Sequence, residues 1–141
     1  YLVQTDTTVG FSSSSDEKLS LVKQRPLSKK ILNTVDSFST LSKNTRIPKN
    51  FRQKVRNSKK TTFIYPNGNS FRVVDKSSGF YDFINKFGIL YSTSANKTSK
   101  NFEKEFAFEV AEIIVEDKRG FFETTASKII KLSKKRAKKI R

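Results

Sequence analysis

Small hydroxyl side chains and cations carry the chemistry that this sequence could perform. The chain has no histidine and no cysteine, which excludes Ser-His and Cys-His nucleophiles, HExxH sites, zinc fingers and disulfides. It begins YLVQTDTTVGFSSSS, an apolar run followed by Thr5-Asp6-Thr7, a glycine and a row of serines. Hydroxyls and backbone N–H groups can donate to an oxyanion at close range, so this stretch suits a ligand loop. A solvated turn explains the same residues.

The charge balance favours anionic ligands. Lysine and arginine together number 29 against 13 acidic residues, a formal net charge of +16. Such a surface attracts the phosphates of a nucleotide or of RNA. Compositional drift toward lysine, asparagine, serine, isoleucine and phenylalanine would also raise the charge, so charge alone does not establish nucleic-acid binding.

Two further polar stretches have residue types that suit a phosphate ligand. The sequence Lys23-Gln24-Arg25-Pro26 offers a point charge and a planar fork, and Ser92-Thr93-Ser94-Ala95-Asn96 offers a hydroxyl and an amide. Loops that follow strands in an open sheet tend to converge on one crevice. We therefore expect the three stretches to meet, although each alone is typical of a plain turn or a solvated helix end.

The hydrophobic pattern alternates between strands and helices. It predicts a first strand over residues 1–4, a helix opened by a Ser14-to-Glu17 capping box and stopped by Pro26, and a hairpin turning at Asn67-Gly68. Phe80, Phe83, Ile84 and Phe87 have helical spacing before Gly88. The remaining predictions are a helix near 50–55 and another at 101–110, strands at 29–35, 89–92 and 112–116, the last ended by Asp117 and Gly120, and a polar loop at 92–100.

One α+β domain spanning residues 1–141 follows from this order, with a twisted mixed sheet and helices packed around it. The tail from residue 123 is ambiguous, because its apolar residues suit either one helical face or strands. The lack of cysteine fits a reducing intracellular setting, and no apolar run is long enough for a membrane span. We expect a soluble cytoplasmic protein.

The motifs taken in order are similar to those of the YrdC/YciO domain family, the threonylcarbamoyl-AMP synthases and their relatives. TDT-x-x-G, K-x-R-P, a strand carrying an arginine and TSAN follow one another over nearly the whole chain. The resemblance implies a twisted mixed sheet and assigns the tail to two strands. Val9, Lys30 and Ala126 replace residues that are usual in the family.

The resemblance also implies a reaction. L-threonine and bicarbonate form a carbamate that attacks the α-phosphate of ATP, with Mg²⁺ on the phosphates, and the adenylate goes to a complex that modifies tRNA. Catalysis then depends on alignment and charge neutralisation. The implied ATP-binding residues are Lys23, Arg25, Asn96 and Arg141, and the implied threonine-binding residues are Thr5, Thr7, Lys29, Arg72, Ser94 and Ser127.

Two other functions remain open at the level of sequence. The same scaffold could be a non-catalytic RNA-binding domain, as lysine-rich runs such as KKRAKKIR suggest. It could also be a degenerate paralogue without a ligand. In that case Arg25 would cap a helix and Arg72 would pair with a carboxylate across the hairpin.

Overall fold

Within the residues that the structure describes, namely 1–96, 101–116 and 118–141, eight strands form one mixed sheet. The computed structural model thus has the predicted α+β fold. The strands are β1 (Leu2–Gln4), β2 (Val9–Ser13), β3 (Leu32–Val35), β4 (Thr61–Ile64), β5 (Ser70–Val73), β6 (Ile89–Ser94), β7 (Lys128–Leu132) and β8 (Ala137–Lys139). Their order in the sheet is β1-β2-β6-β3-β5-β4-β7-β8. The β3–β5 and β4–β7 pairs are parallel, and the other five pairs are antiparallel.

Short helices connect these strands. They are α1 (Asp16–Lys23), α2 (Phe38–Asn44), a 3-10 turn (Lys49–Phe51) that leads into α3 (Arg52–Asn57), α4 (Gly79–Ile84) and α5 (Lys104–Val110). None of the helices in the described ranges is long and apolar enough to cross a membrane. Most are shorter than an isolated helix needs to be stable, so packing against the sheet must hold them.

The two faces of the sheet differ because strand side chains alternate. Phe63 on β4 and Phe71 on β5 point to one face, where they join a core with Leu41 of α2 and Val55 of α3. Their neighbours Thr62, Ile64, Ser70 and Arg72 therefore point to the other face, which is largely polar. Two smaller apolar clusters lie under α1 with α5 and under α4.

The strongest local patterns are confirmed. β4 and β5 pair antiparallel across a turn in which Gly68 has φ +85°. The phenylalanine spacing marks α4, and Gly88 follows it with φ +80° while its N–H bonds to the carbonyl of Ile84. The tail forms two strands, β7 and β8, as the family resemblance implied, and the helical alternative is wrong.

Three local predictions are wrong, and one helix was not predicted. The glycine and serine run over residues 9–13 is strand β2, which pairs with β1 and β6, rather than a loop. Helix α1 is capped by Ser15, whose Oγ accepts from the N–H of Lys18, and not by Ser14. Residues 112–116 form no strand and make one isolated bridge, between Ile114 and Leu2. The sequence also gave no sign of α2.

The predicted polar loop at 92–100 is only partly observable. β6 continues two residues further than expected, to Ser94, because both of its edges are paired, with β2 and β3. Residues 97–100 lie outside the described residues, as does Asp117, which was expected to end a strand.

Candidate functional site

The polar face of the sheet forms one wall of a cavity of about 640 Å³. Alternating positions of neighbouring strands supply this wall, as the pleat requires. The lining residues are Thr5, Thr7, Thr8, Gly10, Arg25, Lys29, Lys30, Leu32, Thr62, Ile64, Ser70, Arg72, Ser92, Thr93, Ser94, Ala126, Ser127, Ile129 and Arg141. The volume lies within the range of roughly 300–1,000 Å³ that small-molecule sites occupy.

Eight of the ten residues selected from the sequence line this cavity. They are Thr5, Thr7, Arg25, Lys29, Arg72, Ser94, Ser127 and Arg141. They come from the β1–β2 turn, the segment after α1, strands β5 and β6, the residue before β7 and the segment after β8. The structure therefore brings together positions as far apart in sequence as 5 and 141.

The other two residues, Lys23 and Asn96, contact each other directly. Lys23 Nζ donates to Asn96 Oδ1 at 2.9 Å, to the Asn96 carbonyl at 2.5 Å and to the Ser94 carbonyl at 3.1 Å. Ser94 Oγ donates to Asn96 Oδ1 at 2.5 Å. Lys23 thus holds the end of α1 against the end of β6, and it meets the cavity through Ser94.

Lys23 is a buried amine with an altered proton affinity. Its side chain is mostly withdrawn from solvent, and burial lowers its pKa to about 8, with a smaller contribution from the nearby Arg25 guanidinium. The ammonium is consequently charged below pH 8 and increasingly neutral above it. An anion placed beside this ammonium would raise its pKa again, because a nearby negative charge favours the protonated form.

The turn between β1 and β2 presents hydroxyls in a fixed arrangement. Thr5 Oγ1 donates to the carbonyl of Thr8 at 2.5 Å and accepts from the N–H groups of Thr7 and Thr8 at 3.2 Å. Thr124 Oγ donates to the carbonyl of Thr7 and ties the turn to the segment before β7. Gly10 lets the turn approach β6, since a Cβ there would lie 2.9 Å from the Thr93 carbonyl oxygen.

A buried ion pair joins this turn to β5. Arg72 Nε donates to Asp6 Oδ2 at 3.1 Å and Arg72 Nη2 donates to Asp6 Oδ1 at 2.9 Å. The side chains are 5% and 4% exposed. Two parallel hydrogen bonds of this type fix the plane of the guanidinium as well as its position. The carboxylate that pairs with Arg72 comes from the β1–β2 turn and not from across the hairpin. Arg72 lines the cavity while it is paired in this way.

The other cations of the cavity differ in how firmly they are held. Lys30 Nζ donates to the Asn67 carbonyl at 3.0 Å and to Asn69 Oδ1 at 2.9 Å, which fixes it to the hairpin turn. Arg141 Nε donates to the Ser127 carbonyl at 2.9 Å. In contrast, Arg25 Nε is buried and has no hydrogen-bond partner among the described residues. A buried donor without a partner is costly, so this position favours an acceptor from a ligand.

Sequence reasoning missed Thr62 as a member of the site, and it placed Asp6 and Ser92 in the polar stretches without giving them a role. Thr62 Oγ1 lies 3.0 Å from Ser127 Oγ and Ser92 lines the cavity. Polar residues at alternate positions of otherwise apolar strands were the available signal, because such residues form one face of a sheet. For Asp6, the partner lies 66 residues away and no local pattern identifies it.

Metal binding by the protein itself has no support in the described part of the chain. No group of three or more acidic side chains there could hold a metal ion, and the residues that line the cavity include no aspartate or glutamate.

Comparisons with known proteins give a likeness of fold. No family model and no curated protein matches the chain. Among solved structures, the chain is similar to the solution structure of the MTH1692 protein from Methanobacterium thermoautotrophicum, with a TM-score of 0.69 and 16% sequence identity. The likeness covers 99% of this chain and 78% of that chain. At this identity it shows a shared fold.

Proposed function

We propose that the cavity binds ATP and L-threonine and that the protein forms threonylcarbamoyl-adenylate with release of pyrophosphate. The observation that carries the proposal is the convergence of eight sequence-selected residues on one cavity, with the other two in contact at Ser94. These residues were selected from motifs that resemble those of the YrdC/YciO family. A site like that of the family would need these residues to lie close together.

The cations of the cavity support binding of the phosphates. Arg25 offers a buried Nε, and Lys29 and Arg141 add positive charge to the same wall. Arginine forks suit phosphate oxygens, and cations in a recessed site act more strongly than on an open surface. Mg²⁺ would enter as part of the nucleotide substrate, because no carboxylate lines the cavity among the described residues.

The hydroxyl side of the cavity supports binding of the amino acid. Thr5, Thr7, Ser94 and Ser127 supply donors and acceptors of the size that threonine needs, and Arg72 supplies a cation for its carboxylate. Asp6 already holds two of the Arg72 donors. A substrate carboxylate would accordingly meet the remaining edge of the guanidinium or compete with Asp6.

The reaction needs no nucleophilic side chain. The amine nitrogen of threonine bonds to the carbon of bicarbonate, water is lost, and a carbamate oxygen then attacks the α-phosphorus while the bond to pyrophosphate breaks. What the protein must supply is alignment and cations for the charge on the phosphates. The product would pass to a cytoplasmic tRNA-modifying complex.

Calorimetry and pyrophosphate release test the proposal. ATP should bind more tightly when threonine is present, because ligands that share a site are coupled. Pyrophosphate should appear when ATP, threonine and bicarbonate are all supplied. Arg25→Ala should abolish both signals, and Lys86→Ala, an exposed lysine away from the cavity, should change neither. Nucleotide turnover that ignores threonine, or ATP binding that survives Arg25→Ala unchanged, would refute the proposal.

A further inference from the structure

Positive charge is segregated along the chain. No acidic residue occurs between Asp36 and Asp75 or after Glu123. These two segments hold nine and eight of the 29 lysines and arginines. Compositional drift would distribute basic and acidic residues over the whole chain, so their separation indicates a surface with a functional role.

The fold places the two acid-free segments side by side. Leu41 of α2, Val55 of α3 and Leu132 of β7 share one apolar core. At the surface above this core, Lys134 lies in one depression with Arg46 and Lys49. Cations from α2, from α3 with the turn before it, and from the β7–β8 turn therefore form a single surface on the face of the sheet opposite the cavity. Arg72 and Arg141 belong to the same two segments but line the cavity.

A second cavity, of about 590 Å³, lies between α2 and α3 on this surface. Its charged lining residues are Lys43, Arg46, Arg52 and Arg56, and it is also lined by Phe38. Arg56 stacks on the Phe38 ring with its guanidinium carbon 4.5 Å from the ring centroid. Among the residues that the structure describes, no aspartate or glutamate lines this cavity.

The side-chain donors of these cations are available. All are solvent-exposed, and within the described residues none of their side-chain nitrogens makes a hydrogen bond or an ion pair with the protein. The ion pairs of the described chain lie elsewhere, at Lys18, Lys59 and Arg72. Several unpaired cations held close together repel one another, and this cost is recovered when an anion binds.

We propose that this surface, the basic face (Lys43, Arg46, Lys49, Arg52, Arg56 and Lys134), binds the phosphodiester backbone of a nucleic acid. A run of cations across two depressions matches a ligand with regularly repeated negative charge. Arginine predominates in the second cavity, and its planar fork suits phosphate oxygens. The proposal does not depend on the chemistry of the first cavity.

An anionic membrane fits this surface less well. Membrane docking combines cations with apolar side chains that enter the bilayer. The large exposed apolar residues of the described chain are Leu21, Leu27, Phe87, Phe108, Ile113, Ile114 and Ile140, and none belongs to the basic face. A backbone of phosphates needs no such apolar residues.

Matched fourfold variants test the proposal. In the first, Arg46, Arg52, Arg56 and Lys134 become glutamine; in the control, Lys76, Lys86, Lys104 and Lys118 become glutamine, with the same loss of charge. Binding of a labelled 16-base-pair RNA duplex, the same duplex as DNA, and vesicles containing phosphatidylserine is measured by fluorescence anisotropy or sedimentation at several salt concentrations. Circular dichroism verifies that both variants are folded.

The basic-face variant should lose at least about tenfold in duplex affinity and, for DNA, reduce the slope of log K against log salt by roughly 3 to 4, at about 0.9 for each phosphate contact. The control should lose less than about threefold. A preference for the RNA or the DNA duplex identifies which nucleic acid the surface binds, and either preference supports the proposal. Equal losses in the two variants, absence of duplex binding, or binding to vesicles alone would overturn it.

A second measurement locates the contact. Amide resonances of residues 43–56 and 134–139 should shift when the duplex is added, and those of the β1–β2 turn should not. ATP binding by the basic-face variant should equal that of the unaltered protein. If the duplex instead shifts the cavity residues and competes with ATP, the inference is wrong while the proposed function remains intact.

Discussion

Replacement of Asp6 by asparagine tests the importance of the buried ion pair. Asparagine has the same shape as aspartate, yet it removes the charge that both Arg72 donors face. The asparagine amide N–H₂ can also face the Arg72 guanidinium, and two donors then lie together without an acceptor. With the two side chains 4% and 5% exposed, water cannot take over the lost contacts.

The expected cost is large for a single isosteric change. Breaking one side of a buried pair typically destabilises a protein by about 3–5 kcal/mol, because an uncompensated charge stays in the interior. For a domain of this size, a loss of that magnitude lowers the melting temperature by roughly 10–15 °C. A surface pair would contribute less than about 1 kcal/mol.

Urea denaturation followed by circular dichroism measures the free energy of unfolding. The control is Glu109→Gln, an exposed carboxylate on α5, for which we expect a change within about 0.5 kcal/mol. The double variant Asp6→Leu with Arg72→Met should recover most of the loss, since apolar residues replace buried pairs well. A cost below about 1 kcal/mol for Asp6→Asn, or a double variant less stable than either single one, would refute this reasoning.

The same variant also tests the proposed binding of threonine. In Asp6→Asn the charge on Arg72 lacks its carboxylate, so a carboxylate ligand that reaches the cavity should stabilise the variant more than the unaltered protein. Millimolar L-threonine should raise the free energy of unfolding of Asp6→Asn by more than L-threoninol does. Equal effects of the two compounds would show that Arg72 does not meet the carboxylate.

Three further predictions concern the cavity and its supports. Because burial lowers the pKa of Lys23 to about 8, its charge is lost as the pH rises through that value; ATP affinity measured by calorimetry should fall from pH 7 to 9, and Lys23→Arg should abolish this fall. Gly10→Ala should cost about 1–3 kcal/mol in denaturation, because the new Cβ would press on the Thr93 carbonyl. Ser15→Ala should destabilise the protein by about 1 kcal/mol through loss of the α1 cap, and Ser14→Ala should leave the urea midpoint unchanged.

Local signals predicted the elements whose geometry is determined by local residues. The Asn67-Gly68 pair predicted the hairpin because its turn needs a positive φ that glycine adopts freely. The phenylalanine spacing predicted α4 because it places one apolar face toward the core, where Phe80 and Ile84 are buried. In both places propensity, pattern and tertiary packing agree.

The missed elements depend on contacts that are distant in sequence. Strand β2 contains glycine and two serines, and it is extended because β1 and β6 pair with its two edges. Helix α2 is rich in serine and threonine and is anchored by the cap at Ser37 and one buried leucine, Leu41. Residues 112–116 show the opposite case. Their apolar residues resemble a strand, but Ile113 and Ile114 remain exposed and the segment meets β1 at a single bridge, between Ile114 and Leu2.

The sequence predicted which residues belong to the candidate site but not how they are arranged in space. The motifs identified ten positions, and the direct bonds between Lys23 and Asn96 agree with the expectation that α1 and β6 end near one another. The Asp6–Arg72 pair could not be foreseen, because each residue has an ordinary local context. A buried arginine in a strand must have an acceptor somewhere, and sequence alone does not say where.

The two cationic surfaces should respond differently to salt. In the first cavity, Lys30 and Arg141 are held by hydrogen bonds and Arg25 is partly buried, so a small anion meets preorganised donors that ions in solution screen weakly. On the basic face, the side chains are exposed and unrestrained by the described residues, so binding there must draw mainly on the release of counterions. ATP affinity should consequently change little between about 50 and 200 mM salt, while duplex affinity should fall by a factor of ten or more over the same range. Because both measurements use one protein in one buffer series, a parallel fall would contradict this difference between the two surfaces.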